Sequence, residues 1–154
     1  MYKKIMWATD GSEEAELALA ETRRLARTTS ARIVAVHCDR ALVGDDGGSP
    51  PAADGDSAAA KLRQRTTQLQ QMGVDIELVV RRTHEEPADA VAALADELAV
   101  DAIVCDGRGG TSLATLLPGS FTHRLIDVAP CPVLVVPDTA VPASRRSERR
   151  RVRA

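Results

Sequence analysis

Five short apolar runs alternate with four helix-like stretches along this chain, and that alternation restricts the fold more than any other feature. Residues 3–9 form the first run, which Asp10-Gly11-Ser12 breaks. Ser12 followed by Glu13 and Glu14 reads as a helix N-cap with an acidic first turn, since a hydroxyl accepts from free N–H groups there and carboxylates complement the helix dipole. The helix reaches about Thr28, with Ala15, Leu17, Leu19, Ala20 and Leu25 inward and Glu16, Arg23 and Arg24 outward. Residues 33–38 are a second apolar strand. Residues 57–72 read as the next helix, with Gly73 as its stop, and Ile76, Leu78 and Val80 alternate as a third strand. Pro87 opens a helix to Ala99, residues 100–105 form the fourth strand, and a helix over about 120–128 precedes a last strand at 132–136. Strands and helices in strict alternation predict an α/β fold with one doubly wound, five-stranded parallel sheet and helices on both faces, because right-handed crossovers put them there.

At 154 residues the chain suits one compact domain. A domain of that size buries enough surface to be stable without disulfides or a structural metal. Membrane and collagen classes do not fit. The only aromatics are Tyr2, Trp7 and Phe121, so Ala, Val, Leu and Ile must fill the core, and the stacking platforms that bind single-stranded nucleic acid are missing. Nucleic acid and membrane are therefore not the expected partners. Six arginines against Glu148 give the last ten residues +5, so the rest of a chain of net charge −2 carries −7. Residues 139–154 read as a basic, disordered tail, and residues 43–56, rich in Gly, Pro and Asp, as a flexible loop that cannot sustain a helix or a buried strand. Cys38, Cys105 and Cys131 lack the spacing of a disulfide pair or metal site, and the first residues lead straight into a strand. Free thiols in a reducing cytoplasm are the expectation. Cys38 and Cys105 lie in apolar runs, as small buried side chains do. His37, His84 and His123 read as surface or strand-end residues outside any catalytic or metal constellation.

Open α/β sheets bind ligands beyond the carboxyl ends of their strands. Two segments have the composition for that crevice: Ala8-Thr9-Asp10-Gly11-Ser12 after the first strand and Asp106-Gly107-Arg108-Gly109-Gly110 after the fourth. A glycine-rich turn ahead of a helix lets backbone N–H groups approach an anion. The chain has no GxxxxGK[ST], so P-loop NTPase chemistry is not expected, and Gly107-Arg108-Gly109 with Ser112 is only an incomplete GxGxxG after the wrong strand.

Three segments together resemble the universal stress protein family, small cytoplasmic α/β proteins of which many bind ATP. They are Ala8-Thr9-Asp10-Gly11-Ser12-Glu13, the loop from Gly109 to Ser120, and Ala129-Pro130-Cys131-Pro132-Val133-Leu134-Val135-Val136. The resemblance covers residues 1–137 and implies a strand order of 3-2-1-4-5. The family's ATP-binding pattern, Gly-x2-Gly-x9-Gly-Ser/Thr, falls on Asp106, Gly109, Gly119 and Ser120, so an aspartate replaces the first glycine. By resemblance Gly109, Gly119 and Ser120 cradle phosphates, with Gly110 in the same loop. Asp10, with Ala8 and Thr9 before it, meets the adenosine part, and the backbone near Cys38 holds adenine. Arg108 either reaches phosphate or stays in solvent. The same residues also have a structural reading: Gly109 and Gly110 as a tight turn, Ser120 as a helix cap, Asp10 as a turn residue.

The implied strand order makes the first and fourth strands neighbours, so Asp10 and Asp106 should face one another across the crevice. Two carboxylates repel a triphosphate unless Mg²⁺ bridges them to phosphate oxygens. Asp106 also adds a side chain where glycine would let the nucleotide approach. Glu85 stands where the family often has glycine, two residues before Pro87, and adds negative charge. The resemblance thus implies a stress or signalling protein that binds ATP. The alternatives are a homodimeric interaction module that binds no nucleotide because of Asp106, and a slow ATPase. The apolar Val133-Leu134-Val135-Val136 would pair two copies through the last strand, as family members do.

Overall fold

The computed structural model describes residues 1–40, 53–107 and 120–137. Its elements run β1 (Lys4–Ala8), α1 (Glu13–Thr29), β2 (Arg32–Arg40), α2 (Ala53–Gln71), β3 (Ile76–Thr83), α3 (Pro87–Glu97), β4 (Ala102–Asp106), α4 (Ser120–Val128) and β5 (Val133–Val136). All pairings are parallel, and the order is β3-β2-β1-β4-β5, with β1 at the centre. This is the α/β sheet expected from the alternation of elements, in the strand order that the family resemblance implies.

Alternation along each strand assigns its side chains to two faces. Ile5, Trp7, Ile33, Ala35, Ile76 and Val104 pack with Ala15, Ala18 and Leu19 of α1 and Leu62 and Leu69 of α2. Met6, Ala8, Val34, Val36, Ile103 and Cys105 pack with Ala88, Val91 and Leu94 of α3 and Leu125 of α4. Both faces are covered, which is why the central strands read as unbroken apolar runs. Trp7 is the one large aromatic among the fully buried side chains, and its indole N–H donates to the Ala15 carbonyl at 3.0 Å.

The start of α1 follows the sequence reading: the Ser12 hydroxyl accepts from the Ala15 N–H at 3.3 Å, and Glu13, Glu14 and Glu16 occupy the first turn. Its inward stripe is Ala15, Ala18, Leu19, Thr22 and Ala26, whereas Ala20, expected inside, is exposed. Period 3.6 places position 20 a full 100° beyond Leu19, and alanine loses little by facing water. A second correction concerns the loop at 43–56. Helix α2 begins at Ala53, so its first four residues fall within that stretch. Gly73 stops this helix with a left-handed φ of +81°. The expected basic tail at 139–154 lies outside the described residues.

Candidate functional site

Beyond Ala8 the chain leaves β1 through a turn held by its own polar groups. The Thr9 N–H continues the ladder to the Val36 carbonyl at 3.0 Å. The Gly11 N–H donates to Thr9 Oγ1 at 3.1 Å and the Ser12 N–H to Asp10 Oδ1 at 2.9 Å. Gly11 takes a left-handed φ of +79°, a conformation L side chains rarely adopt, so the turn favours glycine; space is not the reason, since a Cβ there would meet Ala58 of α2 only at ordinary contact distance, 3.5 Å. Asp10 therefore does perform the turn role open to it, with one oxygen committed to Ser12.

His37 pins the same turn from β2. Its Nδ1 lies 3.0 Å from the Thr9 carbonyl oxygen, an acceptor, so this nitrogen carries the proton, and Nε2 is buried without a hydrogen-bond partner among the described residues. The sequence reads this histidine as a surface or strand-end residue; it lies toward the carboxyl end of β2, but at 6% exposure it belongs to the interior and not the surface, because odd positions of β2 face the α1 and α2 side. His84 and His123 are exposed as expected.

On the other flank, the register that pairs Trp7 with Val104 sets Asp106 level with Thr9, one residue short of Asp10. Buried Thr122 donates its hydroxyl to the Asp106 carbonyl at 3.3 Å and so fastens the first turn of α4 to the end of β4.

Between these strand ends and helices α3 and α4 lies a crevice of about 470 Å³. Ala8, Thr9 and Asp10 line it from β1, Val36 and Cys38 from β2, and Cys105 and Asp106 from β4. Glu86, Pro87, Ala88 and Val91 wall one side, and Ser120, Phe121 and Arg124 the other. Of the residues singled out in the sequence, Ala8, Thr9, Asp10, Cys38, Asp106 and Ser120 thus meet at one place. Arg108, Gly109, Gly110 and Gly119 lie outside the described residues. Glu85 does not line the crevice; it is exposed, its N–H donates to Thr83 Oγ1 at 3.0 Å, and Glu86 supplies the carboxylate there instead.

Sequence reasoning missed Val36, the α3 wall, Phe121 and Arg124. Helical spacing of i and i+4 puts Arg124 on the same face as Ser120, a signal that was available. Pro87 was visible as a helix start, but its place beside β2 comes only from the crossover.

The three thiols are free. Burial pushes Cys38 up from 9.0 to about 11, partly opposed by the Arg81 charge, and burial with the negative charge of Asp106 pushes Cys105 to about 12. Cys131 is also raised, by burial first and by Asp101 second. Protonated thiols behave here as small apolar wall groups. Among the described residues no group of three or more His, Cys, Asp or Glu could hold a metal ion, and no helix is long and apolar enough to cross a membrane.

A smaller cleft of about 270 Å³ opens on the opposite face of the sheet edge, lined by Trp7, Thr9, Gly11, Ser12 and Glu16 and by Lys61, Arg65 and Gln68 of α2. Arg65 spans it with a fork to Glu16, Nη2 to Oε2 at 2.8 Å and Nε to Oε1 at 3.0 Å.

The family model for the universal stress protein family matches residues 1–137. A universal stress protein of Thermus aquaticus is 30% identical, over 88% of this chain and 99% of its own length. Solved structures of the family are similar too, two of them with a nucleotide. One, a universal stress protein from Archaeoglobus fulgidus in complex with dAMP, is 27% identical at a TM-score of 0.66, covering 87% of this chain and 97% of its own. The other, a universal stress protein in complex with cAMP, is 25% identical at a TM-score of 0.66, covering 88% and 97%.

Proposed function

The chain belongs to the universal stress protein family, and from that premise we propose that it binds an adenine nucleotide, ATP, in the crevice at the carboxyl ends of β1 and β4. One observation carries the reading: Ala8, Thr9, Asp10, Cys38, Asp106 and Ser120, chosen from four separate segments of the sequence, line one crevice of about 470 Å³, a volume suited to a small-molecule ligand. Relatives solved with cAMP and dAMP support an adenine ligand. The apolar wall of Val36, Cys38, Ala88 and Val91 suits a base, and Ser120 at the start of α4 suits phosphate. Arg108, Gly109, Gly110 and Gly119 complete the phosphate loop in this reading.

Asp106 sets the condition for binding. With Asp10 it brings two carboxylates to the crevice, and two carboxylates plus phosphate oxygens fit Mg²⁺, which keeps waters and seldom relies on an all-protein cage. Occupancy would then alter shape or partners in a cytoplasmic stress response rather than drive rapid turnover. Two copies would pair through β5, an edge strand whose Leu134 is 43% exposed.

The second reading, an interaction module without nucleotide, is favoured by the three carboxylates of Asp10, Glu86 and Asp106 on the crevice lining. Acid extraction of freshly purified protein with nucleotide chromatography separates the two, followed by ATP calorimetry on stripped protein with and without Mg²⁺. Bound or titratable ATP supports the first reading, and Mg²⁺ dependence supports the carboxylate bridge. No nucleotide and no binding under either condition leaves the interaction module.

A further inference from the structure

Among the described residues lining the crevice there are three carboxylates and a single cation, Arg124. Asp10, Glu86 and Asp106 repel a polyphosphate, so whatever attraction these side chains offer an anion must come from that guanidinium. Its surroundings are specific. Arg124 leans from α4 across to α3, where Nε and Nη2 lie 3.0 and 2.9 Å from the same oxygen, Oδ1 of Asp89. The fork is used along one edge only, and Nη1 has no hydrogen-bond partner among the described residues. The Arg124 side chain is 55% exposed, and an ion pair at such a site is weak enough to be shared with or yielded to a stronger anion. A guanidinium has five donors in a planar fork that match phosphate, and charge-assisted bonds to phosphate exceed neutral ones about twofold.

We infer that Arg124 is the residue by which the crevice prefers a phosphorylated adenine ligand over the free nucleoside, and that Asp89 restrains it by competing for the same guanidinium. The inference rests on the adenine-nucleotide reading and deepens it. Helical spacing supports the geometry, since Ser120 and Arg124 stand one turn apart on the same face of α4 and both line the crevice. The Asp89 contact also bridges the two helices that wall the crevice, so a phosphate drawing on Arg124 would loosen one side of the link between them. Both side chains are partly exposed, so neutral replacements leave the core untouched.

The test is calorimetric titration of ATP and adenosine, separately, into stripped wild type, Arg124→Gln, Asp89→Asn and the double variant. Arg124→Gln should weaken ATP about tenfold, the scale of one lost charge-assisted hydrogen bond, and leave adenosine within about twofold. Asp89→Asn should tighten ATP by about threefold, a gain the double variant should not show. An Arg124→Gln variant that keeps its ATP affinity, or loses ATP and adenosine equally, overturns the assignment while leaving the nucleotide reading intact. Wild type that binds neither compound overturns the nucleotide reading. Inorganic tripolyphosphate, followed at the Arg124 Nε–H resonance, then still decides the residue's role: a saturable shift supports it and no shift overturns it.

Discussion

At the carboxyl edge of the sheet a cleft opens on each face, and Thr9 lines both. On the α1 and α2 side several polar groups are engaged internally: Ser12 caps α1, the Trp7 indole bonds the Ala15 carbonyl, and Arg65 is forked to Glu16, while Lys61, Gln64 and Gln68 are exposed. On the α3 and α4 side the wall is apolar, formed by Val36, Ala88, Val91 and two protonated thiols, with charged groups at its rim. The first arrangement glues a helix to the sheet, whereas the second leaves an apolar slot with convergent polar atoms, which is what a small-molecule site requires. Hydrogen bonding does not separate the clefts, since Arg124 and Asp10 are bonded too; the extent of the apolar lining does.

The largest effect should come from filling the slot. Cys38→Trp places an indole where the base is proposed to lie and should weaken ATP at least about a hundredfold, while Lys61→Trp in the opposite cleft should leave ATP affinity unchanged. Equal losses from the two in calorimetry would erase the distinction between the clefts.

Thiol chemistry sharpens it next. With Cys38 raised to about 11, its thiolate at pH 8 is scarcer than an ordinary thiol's by roughly a hundredfold, so iodoacetamide should modify it correspondingly slowly in a Cys131→Ser background. Because the folded state disfavours the thiolate, the stability tied to Cys38 and Cys105 is fully present below about 9 and lost as pH rises through about 11 and 12. Alkylation at the rate of free cysteine, or thermal unfolding indifferent to pH between 9 and 11, would contradict a buried apolar wall.

Asp106→Gly removes a carboxylate from the crevice and should tighten metal-free ATP on the order of tenfold. If Mg²⁺ bridges the carboxylates, the same variant loses the cation-dependent part of its affinity, and the two titrations read the effects separately. Smallest of all, Arg65→Ala should cost no more than about 1 kcal/mol in urea unfolding, and less in high salt, since the pair with Glu16 is partly exposed. A change in ATP affinity in that variant would count against the purely structural role of the second cleft.

Much of this was legible in the sequence, and the reason differs by element. Ser12 with its acidic neighbours marked the start of α1 because capping is local chemistry, and Asp10 and Asp106 were marked because residues that end central strands gather at one edge of a parallel sheet. The strand order needed the family resemblance, since the right-handed crossover fixes the hand of each connection but nothing local sets on which side of β1 the next strand is added. The inward turn of His37 was hidden because a polar residue within a short apolar run carries no sign of its face until the pleat is fixed. Arg124 was overlooked because its importance arises from Asp89 and the carboxylates around it, which only packing brings together. The early start of α2 is not legible because Gly55 and its two aspartate neighbours have the composition of a loop.

The central claim is that one cleft binds the nucleotide and the other does not, and an ATP titration followed by ¹H–¹⁵N amide spectra tests it most directly. The account predicts saturable shifts at Thr9, Asp10, Cys38, Asp106, Ser120 and Arg124, with Lys61, Arg65 and Gln68 unmoved. Shifts centred on α2, or none at saturating ATP with Mg²⁺ present and absent, would contradict it.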